Sequence, residues 1–215
     1  LPRVLLTRAR PQAEAFAAEV RLHTGLTPLI APMQEMRDLP VKIDLSGVSA
    51  LAFTSKNGVA AFMRQSSARL PAYCVGEATA AFARAHGFEA FAAEGDAASL
   101  RRILPETGVL HLHGQHISRG LGVPHLAIYA QVALPLAAEA LALLATGEVD
   151  AVALFSPRSA RLLAESLPAS APTLPVFYAL SPAVAAPLLP FGRPRICANP
   201  GAKAMLRLLS ADYPA

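Results

Sequence analysis

Six short apolar runs in this 215-residue chain each end in a hydroxyl residue or a glycine where a helical pattern follows: Thr7, Thr54-Ser55, Gly76, Gly114, Ser156-Pro157 and Ser181-Pro182. Ser-Pro at such a junction supplies a side-chain cap and a first helical residue whose missing N–H is not needed there. Each helix start also exposes unpaired backbone N–H groups and a partial positive charge, so several on one edge suit carboxylates or phosphates. Arg8, Arg10, Lys56, Arg119, Arg158 and Lys203 lie within a few positions of these strand ends. They can line an anion-binding cleft by charge and fork geometry.

Stronger chemistry is sparse. No GxGxxG follows a strand, no P-loop is present and no GxSxG elbow occurs, which argues against nucleotide-dependent chemistry. Glu77, Asp96, Glu148 and Asp150 form no evident carboxylate pair, and no Ser-His-Asp pattern can be defended. His111, His113 and His116 resemble a metal cluster at first sight, and His111 and His113 share a strand face. No carboxylate or cysteine ligand is near them in sequence, so zinc is not expected, and His113 and His116 are placed to meet an anion at a strand end. Tyr129 sits in an extended stretch after the histidines and is the most interesting hydroxyl, although a strand tyrosine commonly serves as packing.

The elements that must position these residues follow from hydrophobic periodicity. Strands are expected at 3–7, 26–31, 49–53, 72–75, 88–92, 109–113, 151–155, 175–180 and 195–198. Helices are expected at 12–22, 58–65, 78–86, 97–104, 137–145, 157–166, 182–189 and 202–209, with a further one starting near Ser118. Alternation of this kind indicates α/β architecture with parallel sheets covered by helices, and ligands then bind at the carboxyl edge of the strands.

The alternation also repeats. Leu51-Ala-Phe-Thr-Ser55 echoes Val152-Ala-Leu-Phe-Ser156, Tyr73 to Ala80 echoes Phe177 to Val184, and Asp96 to Leu104 echoes Gly201 to Leu209. Two similar lobes are therefore expected, doubly wound and flavodoxin-like, with a cleft as the functional place. Residues 1–31 with 136–215 form one lobe and 41–126 the other. The segments 32–40 and 127–135 cross between them as extended strands able to pair as a two-stranded hinge.

Composition agrees with a folded, globular chain: 53% hydrophobic, 16% charged and a net charge of +4. That excess suits an anionic small molecule and is too weak for nucleic acid. Cys74 and Cys197 read as buried strand residues and imply no disulfide framework. The apolar stretch 126–145 contains Gln131, Pro135 and Glu139, so it reads as strand and helix instead of a membrane span. No secretory signal is visible, a cytoplasmic location is expected, and no heptads argue for more than a monomer.

The chain resembles the uroporphyrinogen-III synthase family over nearly its whole length. The marks are Val4-Leu-Leu-Thr-Arg8 with Gln12-Ala, Phe53-Thr-Ser-Lys-Asn-Gly58, Val75-Gly-Glu-Ala-Thr79-Ala, Gly114 at the histidine-rich strand end, Tyr129-x-x-Val132, Phe155-Ser-Pro157, and 202–209. The resemblance implies two α/β lobes on a two-stranded ladder. It implies cyclisation of the linear tetrapyrrole hydroxymethylbilane to uroporphyrinogen III, with inversion of ring D and loss of water, as a lyase without metal or cofactor. Transient contact with hydroxymethylbilane synthase is a further implied partnership.

By matching position, Tyr129 is the residue implied to assist departure of the hydroxyl group. Ser55, Asn57, Gly76, Thr79 and Ser156 correspond to cleft-lining positions of the family, and with Thr7, Arg8, Gly114, Arg119, Arg158 and Lys203, chosen for their place at strand ends, they are the expected substrate-binding residues. In Ser181-Pro-Ala-Val184 the hydroxyls that members often carry are missing at Ala183 and Val184, and Lys56 replaces a common proline. Those departures keep open a non-catalytic tetrapyrrole- or anion-binding protein on the same scaffold. A hinged binder of small ligands is a third reading, and it would normally need an export signal.

Overall fold

A computed structural model describes residues 1–116, 120–167 and 172–215. The strands are β1 (Arg3–Leu6), β2 (Thr27–Ile30), β3 (Gln34–Asp38), β4 (Ala50–Phe53), β5 (Ala72–Cys74), β6 (Ala90–Ala92), β7 (Val109–Gly114), β8 (His125–Ala133), β9 (Ala151–Leu154), β10 (Val176–Ala179) and β11 (Arg195–Ile196). The helices are α1 (Arg10–His23), α2 (Lys56–Gln65), α3 (Glu77–Ala85), α4 (Ala97–Ile103), α5 (Ala138–Ala145), α6 (Pro157–Ser166), α7 (Pro182–Ala185) and α8 (Ala202–Asp212). The chain divides into two compact units, one of Leu1–Glu35 with Val132–Ala215 and one of Met36–Gln131.

The first unit carries the sheet β2-β1-β9-β10-β11, all parallel. In chain order this is 2-1-3-4-5, the flavodoxin-like doubly wound arrangement. The second unit carries β8-β7-β4-β5-β6, again parallel, with β3 beside β8 at its edge. Counted from β7 its order is also 2-1-3-4-5, so the units share one spatial plan entered by the chain at different strands. The crossing segments 32–40 and 127–135 contribute β3 and β8, which are neighbours in the sheet.

The duplicated central strands explain how each sheet is filled. β4 reads Ala-Leu-Ala-Phe and β9 reads Ala-Val-Ala-Leu, and all eight residues are buried. Successive side chains face opposite ways, so large and small residues separate by face. Leu51 and Phe53 join Leu110, Leu112 and Ile128 in one core, while Ala50 and Ala52 join Val109 and Leu100 in the other. In the first unit Val152 and Leu154 pack with Leu5, whereas Ala151 and Ala153 pack with Val4, Leu6 and Phe16. One face of each sheet is thus lined by alanine and leaves volume for a larger side chain on the neighbouring strand.

Two expected helices differ. The start near Ser118 lies outside the described residues, but residues 120–124 are a loop, because Gly120, Gly122 (φ +76°) and Pro124 all oppose a helix. The helix expected over 182–189 is α7 only to Ala185 and then a 3-10 turn, Ala186–Phe191. Pro187 and Pro190 each lack the N–H that α-helical bonding would use.

Candidate active site

The second unit holds a cavity of about 520 Å³ at the carboxyl edge of its sheet. It is walled by Thr54 and Ser55 after β4, Val75 after β5, Gly95 to Ala98 at the start of α4, His111, His113 and Gly114 on β7, His116, and Tyr129 on β8. β4 and β7 flank the point where the winding reverses, and a crevice outside the strand ends is the geometric result.

Ser55 caps α2, accepting a bond from the Gly58 N–H at 3.2 Å. The same hydroxyl lies 3.0 Å from the Tyr129 hydroxyl, with either group able to donate. Gly114 makes this pairing possible, since a Cβ there would stand 2.8 Å from the Tyr129 ring carbons Cε2 and Cζ. The β7–β8 register shifts between His113 and Gly114, the irregularity that re-aims side chains beside a site. Asp96 caps α4 through the Ser99 N–H at 2.7 Å, and that bond holds its carboxyl below the usual carboxylate range.

Three histidines run along β7 and β8. His113 Nδ1 lies 2.6 Å from the Gly114 carbonyl, and since a carbonyl only accepts, Nδ1 carries a proton. In neutral His113 the Nε2 atom then accepts from the Nδ1–H of His125 at 3.0 Å. The His111 ring sits 4.9 Å from that of His113. His111 is 1% exposed, and neither of its ring nitrogens has a hydrogen-bond partner. Burial above all, with the neighbouring His113 and His125 opposing a further positive charge, pushes its pKa down to about 4, so it is neutral near pH 7.

The other anticipated residues fall in three groups. Ser55, Gly114 and Tyr129 come together in the cavity. Asn57 is exposed in the first turn of α2, Gly76 precedes α3, and Thr79 is buried inside α3; none of the three lines the cavity. The remaining described residues belong to the first unit. Thr7 is fully buried with its Oγ1 unpartnered. The Arg8 guanidinium lies 4.1 Å from the Phe155 ring centroid, and burial lowers its pKa from the ordinary value. Ser156 caps α6 and bonds Ser159 and Gln34, Arg158 is half-buried in α6, and Lys203 is exposed. Arg119 lies outside the described residues.

Three features escaped the sequence reading. Asp96 faces the cavity, His125 completes the bond to His113, and no described residue of the wall is a lysine or arginine. A polar residue interrupting the apolar run Val109-Leu-His-Leu112 was the available signal for His111. Among the described residues no group of three or more His, Cys, Asp or Glu could hold a metal ion, and no helix is long and apolar enough to cross a membrane.

The family described as uroporphyrinogen-III synthase HemD matches residues 14–207. The chain belongs to the uroporphyrinogen-III synthase family. Among solved structures it is similar to uroporphyrinogen-III synthetase from Helicobacter pylori, at 18% identity and a TM-score of 0.68 over 98% of this chain and 99% of that one. It is also similar to a mutant uroporphyrinogen III synthase from the extremely thermophilic bacterium Thermus thermophilus, at 23% identity and a TM-score of 0.52 over 98% of each chain. At these identities the structural likeness speaks for the fold, which is the α/β fold of uroporphyrinogen-III synthases. No curated protein sequence matches.

Proposed function

We propose that this chain cyclises hydroxymethylbilane to uroporphyrinogen III, inverting ring D and releasing water, as a lyase of tetrapyrrole biosynthesis. Membership of the family is the ground, and the observation that carries the assignment of residues is the Ser55–Tyr129 hydroxyl pair set against Gly114 in the cavity. As the C–O bond of the hydroxymethyl group breaks, Tyr129 donates its phenolic proton to the departing hydroxyl, which leaves as water. The Ser55 hydroxyl turns to donate to the phenolate that forms. Electrons from the pyrrole nitrogen supply the exocyclic double bond, and ring D attacks that electrophile through its bridge-bearing carbon to give a spiro intermediate. The older bond from that carbon to the bridge then breaks, leaving a second exocyclic electrophile on ring C, and the free carbon of ring D closes on it, which inverts the ring. The proton released when the ring regains aromaticity returns to Tyr129.

The reaction needs little more acid–base power than this, because holding a flexible chain in one near-attack geometry is the larger task. Asn57, Gly76, Thr79 and Ser156 are assigned substrate-binding roles on their correspondence with the family, and Thr7, Arg8, Gly114, Arg119, Arg158 and Lys203 on their place at strand ends. An unstable substrate that closes spontaneously to the uninverted isomer favours rapid transfer from hydroxymethylbilane synthase, in the cytoplasm.

The test is a coupled assay in which hydroxymethylbilane is generated in place and the isomers are separated. Uroporphyrinogen III formed faster than the spontaneous type I isomer supports the assignment. Type I alone, at the spontaneous rate, refutes it. Tight product binding without acceleration would point to the non-catalytic reading that the missing hydroxyls at Ala183 and Val184 suggest.

A further inference from the structure

We propose that His111 is a substrate-binding residue: its imidazole accepts a hydrogen bond from a pyrrole N–H of the tetrapyrrole held in the second unit's cavity. The inference rests on the function proposed above and adds a contact from a residue that the sequence reading weighed only as a metal ligand.

The ring is a wall residue of the cavity, nearly fully buried, with both nitrogens unpartnered. A buried polar group without a partner costs about 1–3 kcal/mol, and the fold does not require one here. His111 pairs with Ala52 in β4 as Leu6 pairs with Ala153 in β9, so its counterpart in the first unit is a leucine buried in an apolar core. A leucine fits that place in the plan, and the imidazole has no structural bond to justify it.

The surroundings narrow the ligand chemistry. The described wall has no lysine or arginine and one carboxylate, Asp96, so what its described side chains offer is shape, apolar surface and neutral hydrogen-bonding groups, and carboxylate contacts fall to backbone N–H groups. A pyrrole ring, apolar at its perimeter with a single N–H donor, is well matched to Val75, Ala97, Ala98 and an imidazole. A neutral imidazole keeps one acceptor nitrogen, and a pyrrole nitrogen is a donor with nothing to accept. Among the other acceptors on the wall, Ser55 and Tyr129 already bond each other, His113 bonds Gly114 and His125, and Asp96 accepts from the Ser99 N–H; Thr54 and His116 also carry acceptors, which the His111 variants below leave in place.

Two measurements test this. Steady-state kinetics of His111→Leu and His111→Asn with hydroxymethylbilane should show KM raised about tenfold in the leucine variant, and within about threefold of the parent in the asparagine variant, which keeps an acceptor. Titration of ring-15N-labelled parent protein with uroporphyrinogen III, which retains pyrrole N–H groups, should move one ring-nitrogen resonance that is absent from the leucine variant. An unchanged KM in a folded His111→Leu protein, or a His111 resonance unmoved at saturating product, overturns the inference. Failure of the parent protein to make the III isomer refutes the function itself, whereas the titration reads the contact without turnover.

Discussion

The interior strands β1 and β7 occupy the same place in their units, yet in or just beyond each lies a buried, orphaned polar group, one residue out of step with the other. In β7 it is His111, on the alanine-lined face; beyond β1 it is Thr7, on the opposite face, at the position corresponding to Leu112. A shift of one residue in a strand exchanges faces. The shared plan has therefore been equipped differently: the first unit keeps Leu6 in a closed apolar core, and the second uses the same room for a ring that walls a cavity. Architecture was copied, and site chemistry was assigned unit by unit.

Exchanging the two residues is the harshest way to break that contrast. Leu6→His places an imidazole where no cavity relieves it, and stability to denaturant should fall by about 4 kcal/mol from lost burial and an unsatisfied polar group. A loss below about 1 kcal/mol would mean the two faces are equivalent after all. Next in size is Gly114→Ala, whose Cβ must displace the Tyr129 ring. We expect kcat to drop about a hundredfold, matching Tyr129→Phe, with melting temperature altered little in the latter. Undiminished kcat in both variants would remove Tyr129 from the reacting atoms.

Much of this contrast was legible in sequence, and the part that was not has a physical cause. The echoes at Leu51/Val152, Tyr73/Phe177 and Asp96/Gly201 fall on β4/β9, β5/β10 and the starts of α4 and α8, because local periodicity and caps are written residue by residue. That β7 is the counterpart of β1 was hidden, since the chain enters the second sheet at a different strand and only pairing reveals the match. The meeting of Ser55 and Tyr129 was similarly out of reach. They stand 74 positions apart and are joined by the parallel register of β4, β7 and β8. That the described wall carries no lysine or arginine was equally out of reach, since only the division into units shows that Arg8, Arg10, Arg158 and Lys203 stand at strand ends of the first unit.

Acid titration sharpens the contrast more gently. An unfolded histidine takes up its proton near pH 6.5, whereas folded His111 does so only near 4. Between those values the unfolded state holds more protons, so stability declines as pH falls through that window and this contribution levels off below it. His111→Leu should flatten this part of a melting-temperature profile and raise stability at pH 5 by about 1–2 kcal/mol; an unaltered slope would mean that His111 takes up its proton as readily in the fold as in the unfolded chain.

The smallest effect expected is at Arg8, which corresponds in position to His113 and stacks on Phe155. Arg8→Ala should raise KM about threefold through loss of a charged contact to a substrate carboxylate, measured in the same coupled assay. No change in KM would confine carboxylate recognition to other residues.

The alanines at 50, 52, 151 and 153 carry a consequence for redesign. Because those at 50 and 52 set aside space next to β7, the reactivity of the cavity can be rewritten at position 111 from a single codon while crossovers and strand pairing stay untouched. A scaffold of this kind separates the part that must persist from the part that is free to vary.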